Sequence, residues 1–296
     1  MVHIPVLLNE AIKFLQPEKG GAFIDATADG GGHTKEILKR MAPNAILVAV
    51  DRDAKAIKNL QEKFALKRRL KTVAGNFRNL KKLVSKFSKS YDGILFDLGM
   101  SSNQLEASGR GFSFQKDEPL IMTFESSPEP GQLTAAEIIN TWPEEKLAEI
   151  FWKYGQERDS RRIARMIVQE RKRSRILSSA QLAGLIGDFR KAKYSGINPA
   201  TKVFQALRIA VNDELPALEE GLSEAWDLLI EGGRIAVISF HSLEDRIVKN
   251  FFRNKKNEGV AEILTKKPLR PAIEEIKQNP RSRSAKLRSA TKLKNE

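Results

Sequence analysis

The sequence predicts an α/β protein, a Rossmann-like and mostly parallel sheet interrupted by an all-helical insert. Three observations lead there. Short apolar runs ending in an acid alternate with helical patterns over the first hundred or so residues, as in a doubly wound sheet. The first such run passes through three consecutive glycines into a helix. Beyond about Leu105 the strand rhythm stops, and it returns only at Arg234.

Residues 5–15, with Val6, Leu7, Ile12 and Leu15 at partly helical spacing, predict an N-terminal helix. Ala22, Phe23 and Ile24 form a first strand ending at Asp25, and Asp29-Gly30-Gly31-Gly32-His33 turns into a helix over 34–40. Glycine is expected where backbone turns sharply and a ligand comes close with no Cβ in the way. A second strand over 45–50 ends at Asp51, whose carboxylate can take both hydroxyls of a ribose. A helix over 54–66 leads to a strand over 70–74 and then to Gly75-Asn76-Phe77. From the residues alone, Phe77 stays open between stacking on adenine and packing in the core. A helix over 80–87 precedes a strand over 91–96, which ends at Asp97-Leu98-Gly99-Met100. Ligands of open α/β sheets collect beyond the carboxyl ends of strands, so the glycine turn, Asp51 and Asp97 should converge on one crevice. A glycine turn followed by an acid at the next strand end points to a nucleoside-containing cofactor. The turn lacks the G-x-G-x-x-G order of a dinucleotide site, because His33 and Thr34 follow its third glycine. A cofactor without a pyrophosphate, such as S-adenosylmethionine, fits better than NAD.

The predicted insert begins with a glycine-flanked aromatic loop over 108–114 and a chain breaker over 125–131. Helical patterns follow over 134–140, 143–154, 160–173 and 178–191, with Ser178 or Ser179 as a cap for the last. Asn198-Pro199 starts another helix, with Asn198 as cap, running through Phe204, Leu207 and Val211. Leu215, Leu218, Leu222, Trp226 and Leu229 then share one face. A buried strand over 234–240 finishes at His241-Ser242 and closes the sheet that opened at Phe23. The predicted division is a discontinuous domain of residues 1–104 and 205–296 around a substrate-facing insert of residues 105–204. His241 stays open between a buried structural role and one at the substrate. Residues 253–296 have little core pattern and are expected to lie on the surface or to be mobile until they meet nucleic acid.

Net charge is +14 and unevenly spread. Residues 158–175 hold eight Arg and Lys against two acids, net +6, and residues 253–296 hold thirteen against five, net +8. The rest balances. Such concentration is the electrostatic footprint of a nucleic-acid binder. The absence of cysteine excludes disulfides, thiolate metal sites and a cysteine nucleophile. With His3, His33 and His241 as the only histidines, no metal is expected. No apolar run approaches the roughly 20 residues that span a bilayer, and Met1-Val2-His3-Ile4-Pro5 does not read as a secretory signal. A soluble cytoplasmic protein without a membrane partner is expected.

Several motifs carry a resemblance. His3-Ile4-Pro5-Val6-Leu7-Leu8-Asn9-Glu10, Asp25-Ala26-Thr27 with Gly31-Gly32-His33, and Asp51-Arg52-Asp53 are three of them. Asp97-Leu98-Gly99-Met100-Ser101-Ser102-Asn103-Gln104-Leu105 and Arg110-Gly111-Phe112-Ser113-Phe114 continue the series. Downstream come Tyr154-Gly155-Gln156-Glu157-Arg158, residues 204–212, Ile238-Ser239-Phe240-His241-Ser242-Leu243-Glu244-Asp245-Arg246 and Asn279-Pro280-Arg281-Ser282-Arg283-Ser284. Together they resemble, nearly end to end and in order, the bacterial 16S ribosomal RNA (cytosine-N4) methyltransferase family. The resemblance implies a Rossmann-like domain that binds S-adenosylmethionine, with a helical insert. It also implies methylation of the exocyclic amine of one cytosine in 16S rRNA, near the decoding site of the small ribosomal subunit. By position, it implies cofactor contacts at Gly31, Gly32, His33, Asp51, Phe77, Asp97 and Gln104, which settles Phe77 in favour of the site.

Two stretches depart from the family pattern. Asp29 stands where the first glycine of the turn is usual, and Asp117-Glu118-Pro119-Leu120-Ile121-Met122-Thr123-Phe124 replaces a D-G-P-L-D-M-R-M loop. Asp97 is the first candidate for catalysis, holding the amine's N–H groups and taking its proton. Phe112 or Phe114 could stack on the unstacked base. Arg158, Arg161, Arg162 and Arg165 are expected to bind phosphate without reading sequence. Two rival readings are a methyltransferase acting on a protein or small molecule, and an rRNA-binding assembly factor without turnover. The oligomeric state is not legible, and a dimer is one option.

Overall fold

Four short runs rich in aliphatic residues build the parallel half of a sheet: β1 (Ala22–Asp25), β2 (Ile46–Asp51), β3 (Leu70–Ala74) and β4 (Tyr91–Asp97). They belong to a computed structural model that describes residues 4–19, 21–100, 104–105, 108–128, 130–190 and 198–294. With β5 (Leu229–Ser239), β6 (Ala261–Ile263) and β7 (Lys286–Lys292), the seven strands lie in the order β3-β2-β1-β4-β5-β7-β6. The first five run parallel, and β7 is antiparallel to both β5 and β6. In β1 and β4 the residues are apolar without alternation because helices cover both faces.

Helices α1 (Leu8–Leu15), α2 (Gly32–Arg40), α3 (Ala54–Lys63) and α4 (Leu80–Val84) follow or precede these strands. Ile12 and Leu15 of α1 and Ile37 and Leu38 of α2 pack with Phe23, Leu47, Leu95 and Leu287. The other main core joins Leu80 and Val84 of α4 to Ile24, Val48, Phe96 and Val237. Each fully buried side chain of this size stabilises by roughly 1.5–3 kcal/mol.

The chain divides into two compact units, Met1–Ser101 with Leu215–Glu296, and Ser102–Glu214. The second contains α5 (Ala135–Thr141), α6 (Glu144–Lys153), α7 (Ser160–Arg171), α8 (Ser179–Arg190) and α9 (Thr201–Asn212). Helix α6 buries Leu147, Ile150 and Phe151, and α7 buries Ile163, Ala164 and Ile167, the spacing of an inward stripe. Gly155 lets the chain turn between them, since a Cβ there would lie 2.5 Å from the Lys202 carbonyl oxygen. Asn198 does not cap α9 directly. Its Oδ1 accepts from the Ala200 N–H at 2.9 Å, one residue before the helix.

The first unit resumes with α10 (Glu214–Leu228), α11 (Ser242–Asn257) and α12 (Ile273–Gln278). Leu222 and Trp226 of α10 and Val248 and Phe252 of α11 complete the core beneath α4. Here the expectation for residues 253–296 is overturned. That segment is not a surface tail, because β7 lies inside the sheet with Leu287 and Ala290 fully buried. Its cations hid the pattern: Arg288 is buried but donates to Asp245 Oδ1 at 2.7 Å, and Lys286 reaches Asp245 Oδ2 at 3.1 Å. No described helix is long and apolar enough to cross a membrane.

Candidate cofactor site

Strand β1 ends in Asp25, which is buried, and its Oδ2 accepts from Thr34 Oγ1 at 2.6 Å. Burial raises the Asp25 carboxyl above the usual carboxylate range, with His33, Thr34 and the Thr27 N–H pulling the other way. The turn beyond it is stitched to the strands on either side. The Ala26 N–H donates to the Leu95 carbonyl of β4, and the Ala28 N–H to the Val50 carbonyl of β2, both at 2.9 Å.

Gly31 then caps α2 with φ +75°, a backbone that glycine adopts without strain. Packing within the protein already excludes a side chain at these glycines. A Cβ on Gly31 would meet Leu60 at 2.4 Å and one on Gly32 would meet Pro5 at 2.9 Å, so both are packed against the protein itself. Asp29, the departure from the family pattern, sits at φ +37°, on the glycine-favouring side. It keeps the conformation the turn needs at the expense of strain.

Asp29 is also tied to the next strand. Its N–H donates to Asp51 Oδ2 at 2.7 Å, while Asp51 Oδ1 accepts from the Asp53 N–H at 2.8 Å. Asp53 in turn caps α3 through the Lys55 N–H at 2.9 Å. Burial, with some repulsion from Asp29 and Asp53, pushes the Asp51 carboxyl up to about 7 despite the two N–H donors. Each oxygen of that carboxylate has a lone pair beyond the one used, and Asp51 is only partly buried.

Asp97, at the tip of β4, is held from the same turn. Its N–H donates to Thr27 Oγ1 at 2.6 Å, and its Oδ1 accepts from the Gly99 N–H at 3.3 Å. Its Oδ2 lies 3.5 Å from Nδ1 of the buried His33, whose Nε2 is 3.1 Å from the Val6 carbonyl oxygen.

Thus the glycine turn with Gly31, Gly32 and His33 is tied to both neighbouring strand tips, to Asp51 through the Asp29 N–H and to Asp97 through Thr27 and His33. Phe77 follows β3 directly. Its ring is half-buried, edge-on to Phe96 at 5.4 Å, and a Cβ on Gly221 would touch it at 2.6 Å, so much of it serves packing. Gln104 belongs to the second unit, where its carbonyl accepts from Ser108 Oγ at 2.7 Å. Sequence reasoning gave no role to Thr27, Thr34 or Asp53, which anchor the carboxylates. The signal for Asp53 was available, as an Asp immediately before a helical pattern.

Other expectations find different places. His241 caps α11, with Nδ1 accepting from the Glu244 N–H at 3.4 Å and Glu244 Oε2 accepting from the His241 N–H at 3.2 Å. His241 thus has a structural role at the start of α11. Phe112 is buried and stacked on Phe124 at 5.8 Å, and Phe114 meets Phe204 edge-on at 5.4 Å, so both rings are engaged within the insert. In the departing loop, Asn212 of α9 accepts from the Phe124 N–H and donates to the Met122 carbonyl. Arg110 donates to the carbonyls of Thr123 and Phe124. The substituted residues therefore belong to a locked loop. Asn103 and the two serines before it lie outside the described residues.

A Rossmann-like sheet with an acid at the tip of each of β1, β2 and β4 fits one class, the α/β methyltransferases that use S-adenosylmethionine. Residues 1–293 match the MraW methylase family, and the chain belongs to that family. It is 47% identical to the ribosomal RNA small subunit methyltransferase H of Thermomicrobium roseum, over 98% of this chain and 94% of that one. The protein of the same name from Carboxydothermus hydrogenoformans is 45% identical, with 98% of each chain covered. That from a Cyanothece species is 47% identical over 99% and 95%. The cofactor is S-adenosylmethionine, and the donor set suits it. Asp51, partly exposed, offers acceptor oxygens for a diol, and the Asp97 carboxylate at the tip of β4 suits a sulfonium cation.

Proposed function

We propose that this chain methylates the exocyclic N4 amine of a specific cytosine in 16S rRNA, near the decoding centre of the small ribosomal subunit, in the cytoplasm. Family membership and relatives named as ribosomal RNA small subunit methyltransferase H support the reading. The single observation that carries the chemistry is Asp97, a carboxylate fixed at a strand tip by three contacts.

S-adenosylmethionine supplies a methyl group already activated on a sulfonium sulfur. Gly31, Gly32, His33, Asp51, Phe77, Asp97 and Gln104 are the residues proposed to hold it, with Asp51 on the ribose. The protein's task is to position an amine whose lone pair is delocalised into the ring. Asp97 accepts the amine's N–H groups, turning the lone pair outward, and takes the proton lost when nitrogen gains the methyl. The insert's arginines, Arg158, Arg161, Arg162 and Arg165, hold the RNA backbone.

The test is methyl transfer from labelled cofactor to purified small subunits, free rRNA and ribosomal protein, with the modified nucleoside identified. N4-methylcytidine formed on small subunits supports the proposal, and label in protein or in another nucleoside refutes it. Asp97→Ala should abolish turnover at saturating cofactor. Full turnover in that variant would remove Asp97 from the chemistry.

A further inference from the structure

Trp152 is 62% exposed on α6. Tryptophan carries a large apolar surface that proteins seldom leave in water, and an exposed one in a groove is a candidate contact. Here the groove is real. Trp152 shares with Glu145 and Glu149 of α6 and with Arg158, Arg161 and Arg165 a concavity of about 730 Å³, all within the second unit. Such a volume matches sites for small-molecule-sized groups. Arg158 and Arg161 are exposed, and Arg165 keeps 68% exposure while its Nε stands 3.4 Å from Glu144.

The charges are mixed, which matters for the occupant. A surface meant only for a phosphate backbone is dominated by cations. This one places an aromatic face and carboxylates beside guanidinium groups. A nucleotide presents the complementary set, with a π-face for the ring, an anion for the arginines and, in adenine or cytosine, an exocyclic amine that donates to a carboxylate.

We infer that the groove between α6 and α7 is a binding subsite for an unpaired, amine-bearing nucleotide of single-stranded RNA, with Trp152 stacking on the base. Arg158, Arg161 and Arg165 hold its phosphates, and Glu145 and Glu149 read the amine. The inference rests on the rRNA reading above and adds base recognition to what the sequence suggested was contact with phosphate alone.

The experiment titrates the full chain with short oligoadenylate, oligocytidylate and oligouridylate, following tryptophan fluorescence and binding at several salt concentrations. Quenching is expected, with adenylate and cytidylate bound more tightly than uridylate. Trp152→Ala should weaken binding by about 5- to 100-fold with the salt slope unchanged, and Trp152→Phe should keep most of the affinity. Arg161→Ala and Arg165→Ala should each lower the salt slope by about one. Because Trp152 is exposed, its variants should fold as the parent does, and circular dichroism confirms that.

Wild-type affinity in Trp152→Ala would overturn the subsite, and equal affinity for all three polymers would overturn the reading role of the carboxylates. A dimer in sedimentation that Trp152→Ala dissolves would assign the face to a second copy instead. The labelled-subunit assay keeps the two claims apart. N4-methylcytidine formed by a wild type whose Trp152 is indifferent to oligonucleotide sinks only the groove. Label elsewhere sinks the function, and the oligonucleotide titration then decides the groove by itself.

Discussion

Residues 158–175 and residues 253–296 carry similar excess charge, net +6 and +8, and although cations such as Lys266, Lys267 and Arg270 are exposed in the second as in the first, strand β7 places three of its own in different surroundings. In the first, Arg158 and Arg161 stand in solvent on a helical hairpin whose apolar stripe turns inward. In the second, Arg288 and Lys286 share Asp245, and Lys292 donates to the carbonyls of Trp226 and Leu229 at 2.9 and 2.8 Å. A cation with a fixed partner is part of the fold. A cation in water can exchange its counterions for RNA phosphates. Charge counted along a sequence does not separate the two, whereas neighbours in space do.

The largest expected effect falls on the second segment. Leu287→Ala should destabilise the protein by about 2–5 kcal/mol in urea unfolding, because it empties a fully buried position in the sheet. An effect under about 1 kcal/mol would restore the view of this segment as a loose tail.

The same distinction can be sharpened at two acids that each accept two donors. Asp245 is drawn below its ordinary value: burial raises it, but Arg288 and Lys286 outweigh that. Its share of stability is present above the unfolded value and lost as pH falls through the folded one. Asp51 meets neutral N–H donors and rises to about 7. The folded state then holds a proton that the unfolded chain has released, so stability declines as pH rises from the ordinary carboxylate range to about 7. Cofactor affinity should run the other way. As the ionised carboxylate is the better acceptor for a diol, affinity should fall by up to about tenfold per pH unit below 7 and level off above it. Calorimetric titration either side of that value checks this, and an affinity independent of pH would take Asp51 off the ribose.

A smaller change is expected at Asp29. Asp29→Gly relieves a positive φ, worth about 0.5 kcal/mol in thermal unfolding after glycine's own entropy is counted. It also removes a charge that raises Asp51, so the affinity midpoint should move to lower pH. The smallest effect on stability belongs to the exposed arginines. Arg161→Ala should change unfolding by less than about 0.5 kcal/mol while weakening RNA binding at low salt. A large loss of stability there would erase the contrast between the two basic segments.

Every strand up to β5 was legible, because a sheet covered on both faces demands continuous apolar runs and its ends fall at acids or glycines. Less of β5 was visible. It begins at Leu229 and crosses Gly232-Gly233, a pair that looks like a helix end, with an irregular register against Tyr91 and Gly93. Strand β7 was hidden because Lys286, Arg288 and Lys292 read as a charged tail until Asp245 and two carbonyls supply partners from elsewhere in the chain. In the crevice, the glycine turn and the acids at strand ends could be read directly. The shift of Asp51 and the anchoring of Asp97 by Thr27 could not, since both depend on contacts that cross strands. Phe112 shows the same limit, its stacking partner Phe124 lying across a loop.

The place of β7 has a consequence for how this protein is made. A ribosome delivers this strand after all the others, yet it belongs between two of them. Until it emerges, β5 offers a bare row of amides and carbonyls to any extended chain nearby. Nascent or truncated molecules ending before Lys286 should therefore seek neighbours, and protection of that open edge would hang on synthesis passing β7.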